Sequence, residues 1–190
     1  MNPLHTFRAW FDEASASGEA EPGLMALATA ASDGTPSVRF VLLRGITDEA
    51  LHFFTNYRSR KAIELAANPR AAISVYWPTL GRQVRAEGPV ERLSASDSDA
   101  YFAQRPRGNQ IAAVVSPQSA PIESIGALRA EAAEMAAKQG TTPVERPEYW
   151  GGFGLVVRRI EFWTAGADRL HERLVHVRDV SAWRSMRLAP

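Results

Sequence analysis

Short β-periodic runs recur along most of this chain, separated by turn signals. Leu24–Ala30 alternates in strand fashion, Ser32-Asp-Gly-Thr-Pro36 supplies a hairpin turn, and Ser37–Gly45 follows as a second strand. Apolar residues fall on both faces of Ser37–Gly45, which predicts a central strand. Leu51–Thr55, Ala71–Trp77 and Gln83–Leu93 continue the series. Three closing strands are expected at Phe153–Trp163, Arg169–Val177 and Ala182–Leu188. So many strands in 190 residues favour closure, because a closed sheet leaves no unpaired edge. The expected fold is mainly β with peripheral helices, an antiparallel barrel or curled sheet.

Helical periods are fewer. Leu4, Phe7, Trp10 or Phe11, and Ala14 share a stripe over residues 3–17, with Gly18 as a stop. A short helix opens at Asn56-Tyr-Arg-Ser-Arg-Lys61 and runs to about Ala67, before Asn68-Pro69. Ser94 suits the N-cap of a helix carrying Tyr101 and Arg105, which Pro106 ends. Asn109–Ser116 reads as a short helical piece, Ser124–Gln139 as an Ala- and Glu-rich helix, and 141–152 as a loop. With no repeat or composition break, residues 1–190 are expected to form one domain, its N-terminal helix within 1–20.

Composition excludes several function classes. The chain has no cysteine, so disulfide scaffolds, thiolate metal sites and cysteine nucleophiles are out, and a reducing cytoplasm is the expected location. A net charge of +1 gives no global field for nucleic acid or a membrane surface. No apolar run approaches the roughly 20 residues of a membrane span.

Four groups of residues stand out. Arg169, His171 and Arg173 are two apart, so on a strand they share one face, with Trp163 as an aromatic wall. Arg58-Ser-Arg-Lys61 brings cations to a helix start, where free N–H groups favour phosphate. Arg39 interrupts a nearly apolar strand and must be paired with a carboxylate or bound to an anion. Tyr101 and Arg105 share a helix face and, with Arg44 and Asn109, are candidates for a second anion site. His171 and His176 are five apart, on opposite strand faces, so no metal site is expected. The familiar nucleotide, zinc-protease and serine-hydrolase motifs are missing, which points to a cofactor as the carrier of the chemistry.

Ordered motifs then carry a resemblance. They are Arg39-Phe-Val-Leu-Leu-Arg44, Phe54-Thr-Asn-Tyr-Arg-Ser-Arg-Lys61, Tyr76-Trp-Pro-Thr-Leu-Gly-Arg-Gln-Val-Arg85 and Tyr101-Phe-Ala-Gln-Arg-Pro-Arg-Gly-Asn-Gln110. Ser116-Pro-Gln-Ser119, Trp150-Gly-Gly152, Glu161-Phe-Trp163, Arg169-Leu-His-Glu-Arg173 and Arg187-Leu-Ala-Pro190 complete the series. From about Pro22 to Pro190 the chain resembles the pyridoxamine/pyridoxine 5′-phosphate oxidase family, which has the FMN-binding split-barrel fold.

The resemblance implies an FMN site formed by Arg39, Val41, Leu42, Arg44, Phe54, Thr55, Arg60, Lys61, Gln83, Gln118, Ser119, Trp163 and Arg173. It implies a substrate phosphate facing Arg44, Tyr101, Arg105 and Asn109, and a pyridine ring oriented by Arg169 and His171 as catalytic residues. It further implies a homodimer with FMN at the interface, in which residues 153–190 complete the active site. The implied reaction oxidises pyridoxine or pyridoxamine 5′-phosphate to pyridoxal 5′-phosphate, with dioxygen as acceptor and hydrogen peroxide as product. Departures cluster on the substrate side. The family usually has Lys at Arg44, Ser at Asn109, a Gly-Ala-Trp step at Ala112-Ala-Val114, Arg at Ile125 and Asp at Glu172. These leave two alternatives: a flavin oxidase of a reduced aromatic such as a dihydrophenazine, and a non-catalytic flavin- or pyridoxal-phosphate-binding module.

Overall fold

The computed structural model describes residues 2–180 and 182–190. Helix α1 (Pro3–Ala16) leads into β1 (Leu24–Ala30) and β2 (Pro36–Leu42), followed by the two-residue β3 (Gly45–Ile46) and β4 (Ala50–Asn56). Helix α2 (Arg60–Ala67), β5 (Arg70–Trp77) and the long β6 (Arg82–Arg92) come next. Three helices follow, α3 (Ala95–Gln104), α4 (Arg107–Val115) and α5 (Ile125–Gln139). Strands β7 (Trp150–Val156), β8 (Arg159–Thr164), β9 (Glu172–Asp179) and β10 (Ala182–Arg187) close the chain. Among the described residues no helix is long and apolar enough to cross a membrane.

All pairings are antiparallel, and the main path runs β10-β9-β8-β6-β5-β1-β2. Strand β6 joins its two halves. Residues 82–87 pair with β8, whereas Val90, Glu91 and Arg92 pair with β7, which continues to β4. This curled sheet is the split barrel expected from the sequence. Gly88 lies at the change of partner, where a Cβ would sit 1.9 Å from the Val156 carbonyl oxygen. That contact is with backbone, which cannot swing aside. Gly88→Ala is therefore expected to cost about 2–3 kcal/mol of stability, read as a lower denaturant midpoint.

Alternation decides what fills the barrel. Met25 and Leu27 of β1, Ile73, Val75 and Trp77 of β5, Val84 and Ala86 of β6, and Ile160 and Phe162 of β8 point inward and are buried. Phe7 of α1 packs on Trp77 with ring centroids 6.1 Å apart, so the N-terminal helix plugs this core. A second apolar cluster joins Phe102, Ile111, Val144 and Trp150 under α3 to α5.

Three expectations need correction. Strand β2 is an edge of the sheet path, and Val38 and Phe40 on its outer face are each 69% exposed. Its second apolar face reports a surface that one chain leaves uncovered, not a central position. The run Phe153–Trp163 is two strands, broken at Val157-Arg158, where the chain passes from β7, between β4 and the end of β6, to β8, between the start of β6 and β9. Arg169 and His171 precede β9, so Arg169, His171 and Arg173 do not form a period-2 strand face. Gly166 explains the third case. Its Cβ would sit 2.0 Å from the Leu170 carbonyl oxygen, so only glycine permits the tight turn that removes Arg169 from the strand.

Candidate active site

Residues at the start of α2 converge with β1, β2 and β4. Lys61 is buried, and its Nζ donates to Thr55 Oγ1 (3.0 Å), Ser59 Oγ (3.1 Å) and Gln118 Oε1 (2.9 Å). Burial first, and then the charge of Arg39, bring its pKa down from 10.5 to about 8. Arg60 is exposed and donates from Nε to Glu64 Oε1 at 2.8 Å. Arg39 donates to the Leu27 carbonyl (3.1 Å), Thr29 Oγ1 (2.6 Å), Ser37 Oγ and Glu64 Oε2 (3.2 Å). Of the two possibilities for this charge inside an apolar strand, pairing with a carboxylate is the one realised.

A cavity of about 630 Å³ opens beside this cluster. Arg39, Val41, Leu42, Phe54, Thr55, Lys61 and Gln118 line it. Arg44, Tyr101, Arg105 and Asn109 line it as well, so Lys61 of the first expected anion group shares one hollow with the second group. Phe54 stacks on Tyr101 with centroids 3.9 Å apart and 16° between planes, and Trp150 lies nearly parallel to both. The result is a flat aromatic wall suited to a planar ring.

Arg105 is the electrostatic anomaly. Its guanidinium lies 4.5 Å above the Trp150 ring, and its buried Nη1 has no hydrogen-bond partner. Burial, the largest influence, pushes its pKa below the ordinary value; Tyr101 acts against this and Arg44 with it. Arg44 makes no ion pair among the described residues. Arg44 and Arg105 both line the cavity, and a cationic donor without a partner in the chain suits an anionic group there.

The remaining expected residues lie elsewhere on the chain. Gln83, Trp163 and Arg173 are cross-strand neighbours on β6, β8 and β9, outside the lining of that cavity. His171 stands 4.6 Å from Trp163 by ring centroids, and its Nδ1 accepts from the Gly166 N–H at 3.2 Å. With Nδ1 accepting, the ring nitrogen left to donate is Nε2. Arg169 is exposed, at φ 63° in the turn after Asp168. Arg60 and Ser119 flank the cavity without lining it, and Ser119 has φ 72°. One chain thus carries two separated groups.

Several contributing residues escaped the sequence reading. Glu64 is i+4 from Arg60, a spacing that could have flagged it. Glu161 interrupts Ile160-Glu-Phe162 as Arg39 interrupts β2; it is 1% exposed and accepts from Arg85 (2.6 Å) and Arg173 (2.8 Å). Phe40, Gln104, Pro106 and Trp150 complete the cavity lining; Gln104 and Trp150 stand within the ordered motifs but were given no role there.

Comparison with known proteins follows this geometry. Residues 11–139 match the family described as Pyridoxamine 5′-phosphate oxidase, and residues 150–190 match the Pyridoxine 5′-phosphate oxidase C-terminal dimerisation region. A pyridoxine/pyridoxamine 5′-phosphate oxidase of Rubrobacter xylanophilus is 48% identical over 189 residues, covering 100% of this chain and 87% of that protein. Among solved structures, PhzG from Burkholderia lata 383 in complex with tetrahydrophenazine-1-carboxylic acid has a TM-score of 0.95 at 34% identity, covering 100% of this chain and 93% of that one. A pyridoxamine 5′-phosphate oxidase-related, FMN binding protein from Nostoc punctiforme has a TM-score of 0.82 at 20% identity, covering 100% and 99%, and supports the fold alone. With both matched segments in register and the relative aligned end to end, this chain belongs to the pyridoxamine 5′-phosphate oxidase family and is an oxidoreductase of it.

Proposed function

We propose that the chain is an FMN-dependent oxidase of pyridoxine or pyridoxamine 5′-phosphate, working in the cytoplasm as a single-domain protomer of a homodimer. The observation that carries the substrate is that Arg105, whose buried Nη1 makes no hydrogen bond within the chain, lines the cavity together with Arg44, Tyr101 and Asn109. The residues also fit FMN: the aromatic wall suits its ring system, and Lys61 with the α2 start suits its phosphate. The chemistry supplied by bound FMN is two-electron oxidation of the substrate carbon, with dioxygen as acceptor and hydrogen peroxide as product.

The chain's own residues bind and orient. Arg44, Tyr101, Arg105 and Asn109 anchor the substrate phosphate. His171 offers its Nε2–H, and Arg169 a guanidinium, to the polar edge of the pyridine, a positioning role that fixes the reacting carbon. Gln83, Trp163 and Arg173 come from the second protomer, because the two residue groups are separated in one chain. The exposed Val38 and Phe40 on β2, and the matched dimerisation region, support that assembly. Val38→Asp is expected to move the protein from dimer to monomer in light scattering and to reduce its flavin content in parallel.

A second reading is oxidation of a reduced tricyclic aromatic, favoured by the close structural likeness to PhzG. Anaerobic mixing with each substrate separates the two. Bleaching of the flavin band by pyridoxamine 5′-phosphate, with aldehyde formed, supports the first reading. Bleaching only by a dihydrophenazine carboxylate supports the second.

A further inference from the structure

We infer that Glu64 is a positioning residue for the cofactor's phosphate, acting through Arg39 and Arg60. Glu64 is 6% exposed, and both its oxygens are engaged by cations from different elements. Oε1 accepts from Arg60 of the same helix at 2.8 Å, and Oε2 accepts from Arg39 of β2 at 3.2 Å. Oε2 also accepts from Thr29 Oγ1 (2.5 Å) and Ser37 Oγ (2.6 Å), so the carboxylate is fixed by β1 and β2 before it meets either arginine. Burial works against its ionisation. The hydrogen bonds from Ser37, Thr29 and Arg60, with the charge of Arg39, outweigh that and hold the carboxyl at about 2.

The arrangement solves a local problem. The charge of Arg39 disfavours that of the buried Lys61. Without a carboxylate behind it, Arg39 would face an ammonium in a poorly hydrated site and would swing out to solvent. Glu64 holds Arg39 in the sheet and takes Arg60 by Nε, leaving the Arg60 Nη groups uncommitted to any hydrogen bond among the described residues. Three cations therefore stay grouped at the α2 start, ready for a doubly charged phosphate.

This inference rests on the reading that FMN phosphate binds at the start of α2. The test compares Kd for FMN with Kd for riboflavin, which lacks the phosphate, by flavin fluorescence quenching in wild type, Glu64→Gln and Glu64→Ala. The expected result is a ratio of riboflavin to FMN Kd that falls about tenfold in both variants while riboflavin affinity stays within about twofold. A ratio that is unchanged overturns the inference, and one that rises would make Glu64 a competitor of the phosphate. Equal loss of both ligands would make Glu64 a residue that only holds the fold, and also overturns it. Wild type with no preference for FMN over riboflavin would instead remove the phosphate reading on which the inference stands.

Discussion

Arg105→Ala is expected to lower kcat/KM for pyridoxamine 5′-phosphate by about 100-fold, mostly through KM. The Arg105 guanidinium lies over Trp150 in the cavity lining with Nη1 unpartnered within the chain, so a phosphate oxygen there gains a charged donor. A hydrogen bond between charged partners in such a place contributes about 2–3 kcal/mol, and Arg44 alone leaves the phosphate with one cation. Arg105→Lys retains charge but loses the planar fork and the stacking, and should recover only part of the loss. FMN affinity should not change, because Lys61 and Arg60 are on other elements. Steady-state kinetics with pyridoxamine 5′-phosphate, beside a flavin titration, measure both. Turnover that survives the alanine variant would move the assignment to a substrate without phosphate.

FMN affinity should fall as pH rises above about 8, by about tenfold per pH unit, until the bound-state pKa of Lys61 is reached. The ligand-free pKa is depressed from 10.5 to about 8 by burial and by Arg39. A phosphate beside the ammonium raises it again, so binding takes up a proton in that window. The phosphate itself has its second ionisation near about 6 and does not titrate there. Folding of the ligand-free protein responds with the opposite sign. Between about 8 and 10.5 the unfolded chain binds more protons at Lys61, so stability gains with pH across that range. Flavin fluorescence titrations from pH 7 to 9.5, with Lys61→Met as reference, read the effect. A slope identical in the variant would assign the pH dependence to another group.

Strand and helix positions were largely legible. Alternation in β1 and β5, and the caps at Ser94 and Ser124, are local properties that survive in the folded chain. The failures have long-range causes. The apolar outer face of β2 looked like a buried face because apolar composition does not by itself tell a covered strand face from an uncovered edge. Arg169 and His171 looked like strand residues because the Gly166 turn depends on a backbone approach at Leu170 that spacing alone does not reveal.

For the site, the amino-acid order by itself determined which side chains carry charge: Lys61 at a helix start, Arg105 one turn after Tyr101, and Arg39 inside an apolar strand. Helical and strand periods act over a few residues, so these placements needed no tertiary information. Only the tertiary structure decided which charges are already neutralised. Glu64 reaches Arg39 across 25 residues of chain by the packing of α2 on the sheet, and Glu161 reaches Arg85 across 76 through the β6–β8 register. Arg105 and Arg44 emerge from the same accounting as cations without a carboxylate. Whether a cation is held by a carboxylate or has none depends on contacts far apart in the chain, and only the folded structure decides it.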